Sequence, residues 1–197
     1  IQDDWELNET TNFVGGVRHD HYSDFGSSTN PRLSIIHSPT EKMDIKIQYA
    51  TAFRAPTFKE LYDKTNIQFY GNQHLGAERL EAVEAGVWFK YAENSYIYLN
   101  RFRNIIRDYI TTMFSTSLAV TTEYENSGTL EVNGYSVESR HTFDQYTYIN
   151  WNATFFNTRD ESSSSWITNY PQFRANAGIN FSLPSMTFVS LYYMYSD

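Results

Sequence analysis

The side chains whose types and spacing could do chemistry concentrate between positions 54 and 82. Arg54, Lys59, Lys64 and Arg79 supply cations, Tyr62, Phe69 and Tyr70 supply rings, and His74 adds an imidazole. Rings and cations held together suit an anionic, aromatic ligand, gripped by stacking and cation–π attraction. The competing reading makes the rings an interfacial belt and the cations solvated loop charges, and belts are the commoner use of such rings. His19 and His21 would share one face of a strand and could pair on a metal. Asp20 would point the other way and leave that shell without a carboxylate, so a surface pair is the default. Glu123 and Glu125 share a parity beside a loop, where solvated charge is the simpler account. The chain has no G-x-S-x-G elbow, no H-E-x-x-H and no glycine-rich phosphate loop. No enzyme, resident cofactor or metal site is therefore expected.

These residues must be positioned by strands. The 197 residues include 34 aromatics (Tyr 16, Phe 14, Trp 4) beside only 9 Gly and 5 Pro, which favours long strands over helices. Cysteine is absent, which excludes disulfide scaffolds, thiol catalysis and cysteine-ligated metals. With 15 basic against 23 acidic residues the net charge is −8, which argues against a nucleic-acid partner. Mean hydropathy is −0.54, and no apolar run reaches the ~18–20 residues of a spanning helix. A β-barrel remains open, because it wets half its side chains.

Alternation decides the fold class. From 43 to 53 the odd positions read Met43, Ile45, Ile47, Tyr49, Thr51, Phe53, and Asp44, Lys46 and Gln48 lie between them. From 173 to 183 they read Phe173, Ala175, Ala177, Ile179, Phe181, Leu183, against Arg174, Asn176 and Asn180. Runs of this length match the ~9–11 residues of a tilted membrane strand rather than the ~5–6 of a soluble one. Strands are expected near 5–22, 32–38, 43–53, 83–91, 95–111, 131–143, 146–156, 172–183 and 186–196. Their links read long (23–31, 54–82, 112–130, 157–171) and short (39–42, 92–94, 144–145, 184–185) in strict alternation, the habit of an up-and-down outer-membrane barrel. The expectation is all-β: an antiparallel meander of about nine strands, part of a larger barrel, because nine strands leave two open edges. In 95–111 the parities conflict: Ile97 and Leu99 align with Arg101 and Arg103, whereas Phe102, Ile106 and Ile110 lie opposite. A bulge would reconcile them.

Several segments resemble the C-terminal barrel region of TonB-dependent outer-membrane receptors. Gly16-Val17-Arg18-His19-Asp20 through Phe25-Gly26, followed by Asn30-Pro31-Arg32-Leu33, is similar to the family's G-x-R-y-D-x-y…N-P-R-l stretch. Tyr49 to Tyr62, with Phe53-Arg54-Ala55-Pro56 and Glu60-Leu61, is similar to its y-x-x-x-F-R-A-P-x-x-x-E-L-y box. Gly71-Asn72, Leu75, Glu78 and Glu84-Ala85-Gly86 follow the G-N-x-x-L-x-P-E…E-x-G segment, with Ala77 where the family has Pro. Phe102 to Ile110 and Tyr124-Glu125-Asn126 continue the order.

The resemblance covers nearly the whole chain. It implies a bacterial outer-membrane location, and contacts with outer-membrane lipid. It also implies energy-coupled uptake of a ferric siderophore, with a plug domain that this stretch lacks and the TonB complex acting through that plug. Residues 1–197 would supply wall and extracellular loops, with Arg54, Lys59, Tyr62, Phe69, Tyr70, His74 and Arg79 as substrate candidates suited to a ferric catecholate. Cobalamin and haem are the alternatives within the family. Haem receptors carry a histidine between the F-R-A-P box and the N-x-x-L element; here His74 falls inside that element. A soluble β-sandwich carbohydrate-binding module is the rival from another class, and a barrel that has lost transport is a third possibility.

Overall fold

The computed structural model describes residues 1–23, 26–65, 69–114, 122–161, 165–167, 171–183 and 187–197. The chain runs β1 (Gln2–Asn8), β2 (Thr11–Tyr22), β3 (Gly26–Thr40), β4 (Met43–Arg54), the short helix α1 (Phe58–Tyr62), β5 (Glu78–Ala92) and β6 (Ser95–Arg107). It continues through β7 (Ile110–Phe114), β8 (Thr122–Asn126), β9 (Thr129–Thr142), β10 (Tyr148–Asp160), β11 (Ser165–Ile167), β12 (Phe173–Ser182) and β13 (Phe188–Ser196). Ten strands form one antiparallel path, β1-β2-β3-β4-β5-β6-β9-β10-β12-β13, with β11 beside β10. The β7–β8 hairpin folds out as a separate two-stranded sheet.

Pairing carries the parity of β4 across the sheet. Ile45 lies opposite Val87, Val87 opposite Leu99, Leu99 opposite Val137, and Val137 opposite Ala153. These residues make a continuous apolar belt on what we term the outer face. On the inner face Gln48 donates to Glu84 at 2.9 Å, Asn176 donates to Asn152 at 2.9 Å, and Ser190 donates to Asn180 at 2.6 Å. The layer is single, so the belt has no protein to bury it: Ile47 is 51% and Leu99 52% exposed. Among the described residues the buried apolar side chains, Leu61, Leu75 and Pro56, all lie outside the sheet. A sandwich would have enclosed the belt between two layers, so that rival is overturned. An apolar surface this continuous calls for lipid.

Three expectations need correction. Segment 5–22 is two strands, β1 and β2: Thr10 N and Oγ1 both donate to Asn8 Oδ1 at 3.0 Å, an Asx turn made without glycine or proline. The long 23–31 link is not found: β2 and β3 pair out to Tyr22–Gly26, with Gly26 at φ 87°. Strict long–short alternation therefore fails there, and ten strands replace nine. Finally, β6 keeps an unbroken register from Tyr96 to Arg107 with both neighbours, so no bulge separates Leu99 from Arg101 and Arg103. The arginines share a parity with Ile97 and Leu99 because the strand outruns the belt. Thirteen residues exceed the ~9–11 that cross a bilayer, and above the belt the outer face turns polar. Asp24 and Phe25 of the first family stretch, Pro184 and Ser185, and Ser162 to Ser164 lie outside the described residues.

Candidate functional site

The loop end of the sheet is organised around the segment that follows β4. Pro56 cannot extend the ladder and lies buried, so the chain leaves the sheet at Arg54. Thr57 then caps α1 in a capping box: Glu60 N donates to Thr57 Oγ1 at 3.3 Å, and Thr57 N donates to Glu60 Oε2 at 2.7 Å. The chain returns past the far end of the helix, where Gly71 N donates to Asp63 O at 2.7 Å and Asn72 N to Glu60 O at 2.8 Å. A Cβ at Gly71 would sit 2.6 Å from Asp63 N and 2.8 Å from Tyr62 N, so only glycine admits this approach. Leu61 and Leu75, each 5% exposed, fill the small core of the turn.

Two asparagines stitch this loop to the β7–β8 hairpin. Asn72 Nδ2 donates to Tyr124 O at 2.9 Å, and Asn126 both accepts from Gly76 N at 2.7 Å and donates to Asp108 O at 2.7 Å. Tyr70 adds a backbone bridge: its N donates to Thr122 O at 3.0 Å, and its carbonyl accepts from Tyr124 N at 3.1 Å.

Charge closes the assembly. Arg54 Nε and Nη2 meet Glu78 at 2.6 and 2.7 Å, and Nη1 meets both Glu60 oxygens at 3.2 and 3.0 Å. Glu78 Oε1 also accepts from Ile110 N at 2.7 Å. One guanidinium thus ties together the end of β4, α1, the start of β5 and the start of β7. Its pKa is raised by Glu78 first, against desolvation, and then by Glu60. Desolvation pushes the Glu60 carboxyl upward, but Arg54 and Thr57 outweigh it and hold it below the ordinary carboxylate range.

The sequence candidates divide accordingly. Arg54 is engaged by two carboxylates. Lys59 and Tyr62 are exposed on α1, where the Tyr62 ring lies 6.1 Å from Phe58, itself 78% exposed. The Phe69 ring lies 6.3 Å from Tyr124, and Tyr70 is half-buried in its bridge. His74 is exposed, and its backbone N donates to Asn72 Oδ1 at 2.8 Å. Arg79 stands apart: it lies opposite Phe53 and Arg107 on the outer face, whereas Arg54 and Glu78 share the inner parity. Phe58, Glu60, Glu78, Tyr124 and Asn126 were not picked out as site residues, although Thr57-x-x-Glu60 reads as a capping box. Elsewhere, His19 and His21 meet hydroxyls on β3, Thr29 Oγ1 at 2.9 Å and Ser27 Oγ at 2.8 Å.

A single-layer antiparallel meander with one apolar face, long strands and a looped end is the wall of an outer-membrane barrel. Residues 1–197 match the family model described as TonB dependent receptor-like, beta-barrel. The chain belongs to the TonB-dependent receptor family, whose members reside in the bacterial outer membrane. It is 31% identical over 120 residues to the probable hemoglobin and hemoglobin-haptoglobin-binding protein 1 of Haemophilus influenzae, covering 55% of this chain and 11% of that protein. It is 28% identical over 104 residues to the ferric enterobactin receptor of Pseudomonas aeruginosa, covering 46% of this chain and 14% of the receptor. A crystal structure of that receptor (a Q482A mutant) in complex with enterobactin superposes with a TM-score of 0.85 over 99% of this chain at 19% identity. The chain spans 32% of that solved receptor.

Proposed function

We propose that this chain is a C-terminal portion of the barrel of an importer that carries a ferric siderophore across the outer membrane, driven by TonB acting on a plug domain outside this stretch. The observation that carries the reading is the exposed ring-and-cation surface of α1, Phe58, Lys59 and Tyr62, held rigidly above the inner face by the Arg54 assembly. Binding residues concentrate on loops held by a stiff scaffold. Stacked rings beside a cation suit an iron-bound, anionic catecholate. A relative named for ferric enterobactin supports the same reading. Phe69, Tyr70 and His74 flank this surface as further candidates, and Arg54 acts by positioning it.

A second reading is favoured by a specific observation. A relative more than 30% identical is named for hemoglobin, and His74 presents an imidazole with no side-chain partner among the described residues. Haem would need such an axial ligand. The test is fluorescence quenching of the full detergent-purified receptor by ferric catecholate, ferric hydroxamate, haem, haemoglobin and cobalamin. Saturable quenching by a ferric siderophore, weakened in Phe58→Ala and Tyr62→Ala, is expected. Binding of haem or haemoglobin alone, lost in His74→Ala, selects the second reading. Binding of none overturns both.

A further inference from the structure

The loop ends of β2 and β3 carry an arrangement that the import reading leaves unused. His19 and His21 lie on the outer parity of Val17, and pairing sets them directly opposite Thr29 and Ser27. Nδ1 of His19 lies 2.9 Å from Thr29 Oγ1, and Nδ1 of His21 lies 2.8 Å from Ser27 Oγ. Both histidines are exposed, and neither Nε2 has a hydrogen-bond partner among the described residues. Arg18 and Asp20 occupy the opposite parity and pair with each other at 2.8 Å, so Asp20 does not compete for the imidazoles.

The hydroxyls supply what spacing alone does not. An imidazole binds a metal through the lone pair of one nitrogen, while the other, protonated, donates to an oxygen that fixes the ring. Thr29 Oγ1 and Ser27 Oγ stand where the two Nδ1–H groups would donate, which leaves both Nε2 lone pairs free. A strand rise of about 3.3 Å per residue separates the two Cα atoms by roughly 6.6 Å. Two imidazoles bridge that span with metal–nitrogen bonds of about 2.0–2.1 Å. His37 is the internal contrast. Its Nδ1 lies 3.0 Å from Thr11 Oγ1, but Ile35 and Pro39 stand two residues away where a second imidazole would be needed.

We propose that His19 and His21 form a chelating site for a late first-row divalent metal ion, copper ahead of nickel and zinc. Imidazole suits these ions, and the order follows their general affinity for nitrogen donors. Among the described residues no third histidine or carboxylate joins the pair, so water completes the shell and the ion stays open on the outside of the wall. The inference rests on the outer parity of β2, and not on the identity of the imported ligand.

The test uses the full receptor in detergent, without an affinity tag, titrated with copper(II) chloride and followed by calorimetry and electron paramagnetic resonance. His19→Gln and His21→Gln should each remove a bound copper from the isotherm, together with a signal split by two imidazole nitrogens. His37→Gln should remove neither. Partners that orient a metal-bound imidazole are worth roughly 10–100-fold in affinity, so Thr29→Val with Ser27→Ala should weaken the site about tenfold and keep the two-nitrogen splitting. Excess magnesium chloride, whose ion takes oxygen ligands, should leave the copper in place. Ferric-ligand quenching of the copper-free samples should be the same in every variant, which separates failure of this site from failure of the import reading. Unchanged copper stoichiometry in both histidine variants, splitting by a single nitrogen, or displacement by magnesium would overturn the proposal.

Discussion

Replacing Arg54 by alanine tests whether the loop end is one mechanical unit. The substitution removes five hydrogen bonds of 2.6 to 3.2 Å and leaves Glu60 and Glu78, each with a side chain only 15% exposed, facing each other without a cation. Breaking a buried pair costs roughly 3–5 kcal/mol, whereas an exposed pair is worth about 0–1 kcal/mol. The Arg54 side chain is 43% exposed, which places the loss between these limits, at about 2 kcal/mol. That corresponds to roughly thirtyfold more frequent opening. Hydrogen exchange of the full receptor should therefore accelerate about that much in peptides from 57–61 and 71–76. Peptides from the middle of β4 and β5, held by their own ladder, should not change. Arg54→Lys keeps the charge but loses the fork, and should fall between. Unchanged exchange in the loop would refute the reasoning, as would acceleration spread evenly through the sheet. Ligand binding adds a second discriminator. If Arg54 only positions α1, Glu60→Gln should weaken binding in parallel with Arg54→Ala. If Arg54 touched ligand directly, Glu60→Gln would spare binding.

Other outcomes follow from the same geometry. Gly71→Ala forces a Cβ onto the backbone of residues 61–63, and should raise trypsin cleavage at Lys59 and Lys64 while the barrel keeps its heat-modifiable gel mobility. Leu61→Ala and Leu75→Ala should each cost about 2–3 kcal/mol of loop stability, read as faster exchange in 55–77 with the thermal unfolding of the sheet unmoved. Glu60 is held below the ordinary carboxylate range, so its contribution is complete above the unfolded value of about 4.3 and is lost as pH falls through the lower folded value. Loop protection, corrected for intrinsic exchange, should be flat from pH 7 to about 5 and fall below about 4. Glu60→Gln should remove that step.

The parts legible in the sequence were those that a period of two can carry. Met43 to Phe53 and Phe173 to Leu183 announce strands with one apolar face because neither run is interrupted and each crosses the belt only once. The reading failed where physics other than periodicity rules. The β1–β2 turn is closed by the Asn8 side chain, which leaves no glycine or proline to mark it. The arginines of β6 sit on the apolar parity because a strand longer than the bilayer changes solvent part-way along, and no alternation rule registers that change. In the loop, Arg54, Lys59 and Arg79 are indistinguishable as cations in a string of letters. The fold sends the first to two carboxylates, the second to solvent on α1, and the third to the outer face.

That separation bears on where specificity resides. Apart from the exposed Tyr62 that ends the F-R-A-P box, the residues that carry the family resemblance in this region include Arg54, Glu60, Leu61, Gly71, Asn72, Leu75, Glu78 and Asn126. Each is occupied by an ion pair, a cap, a close backbone approach, a small apolar core or a hydrogen bond between loops. A side chain so engaged has little left to offer a ligand, and replacing it disturbs the whole platform. On the proposed reading, the groups that would choose a substrate are those the platform presents: Phe58, Lys59, Tyr62 and His74. Two receptors could therefore share the assembly and differ in cargo by changing these four positions alone. Exchanging them for the corresponding residues of a receptor with another ligand should alter which ligand quenches fluorescence, while exchange protection in 57–61 and 71–76 stays as it was. A loss of protection with no change in ligand preference would place specificity elsewhere on the receptor.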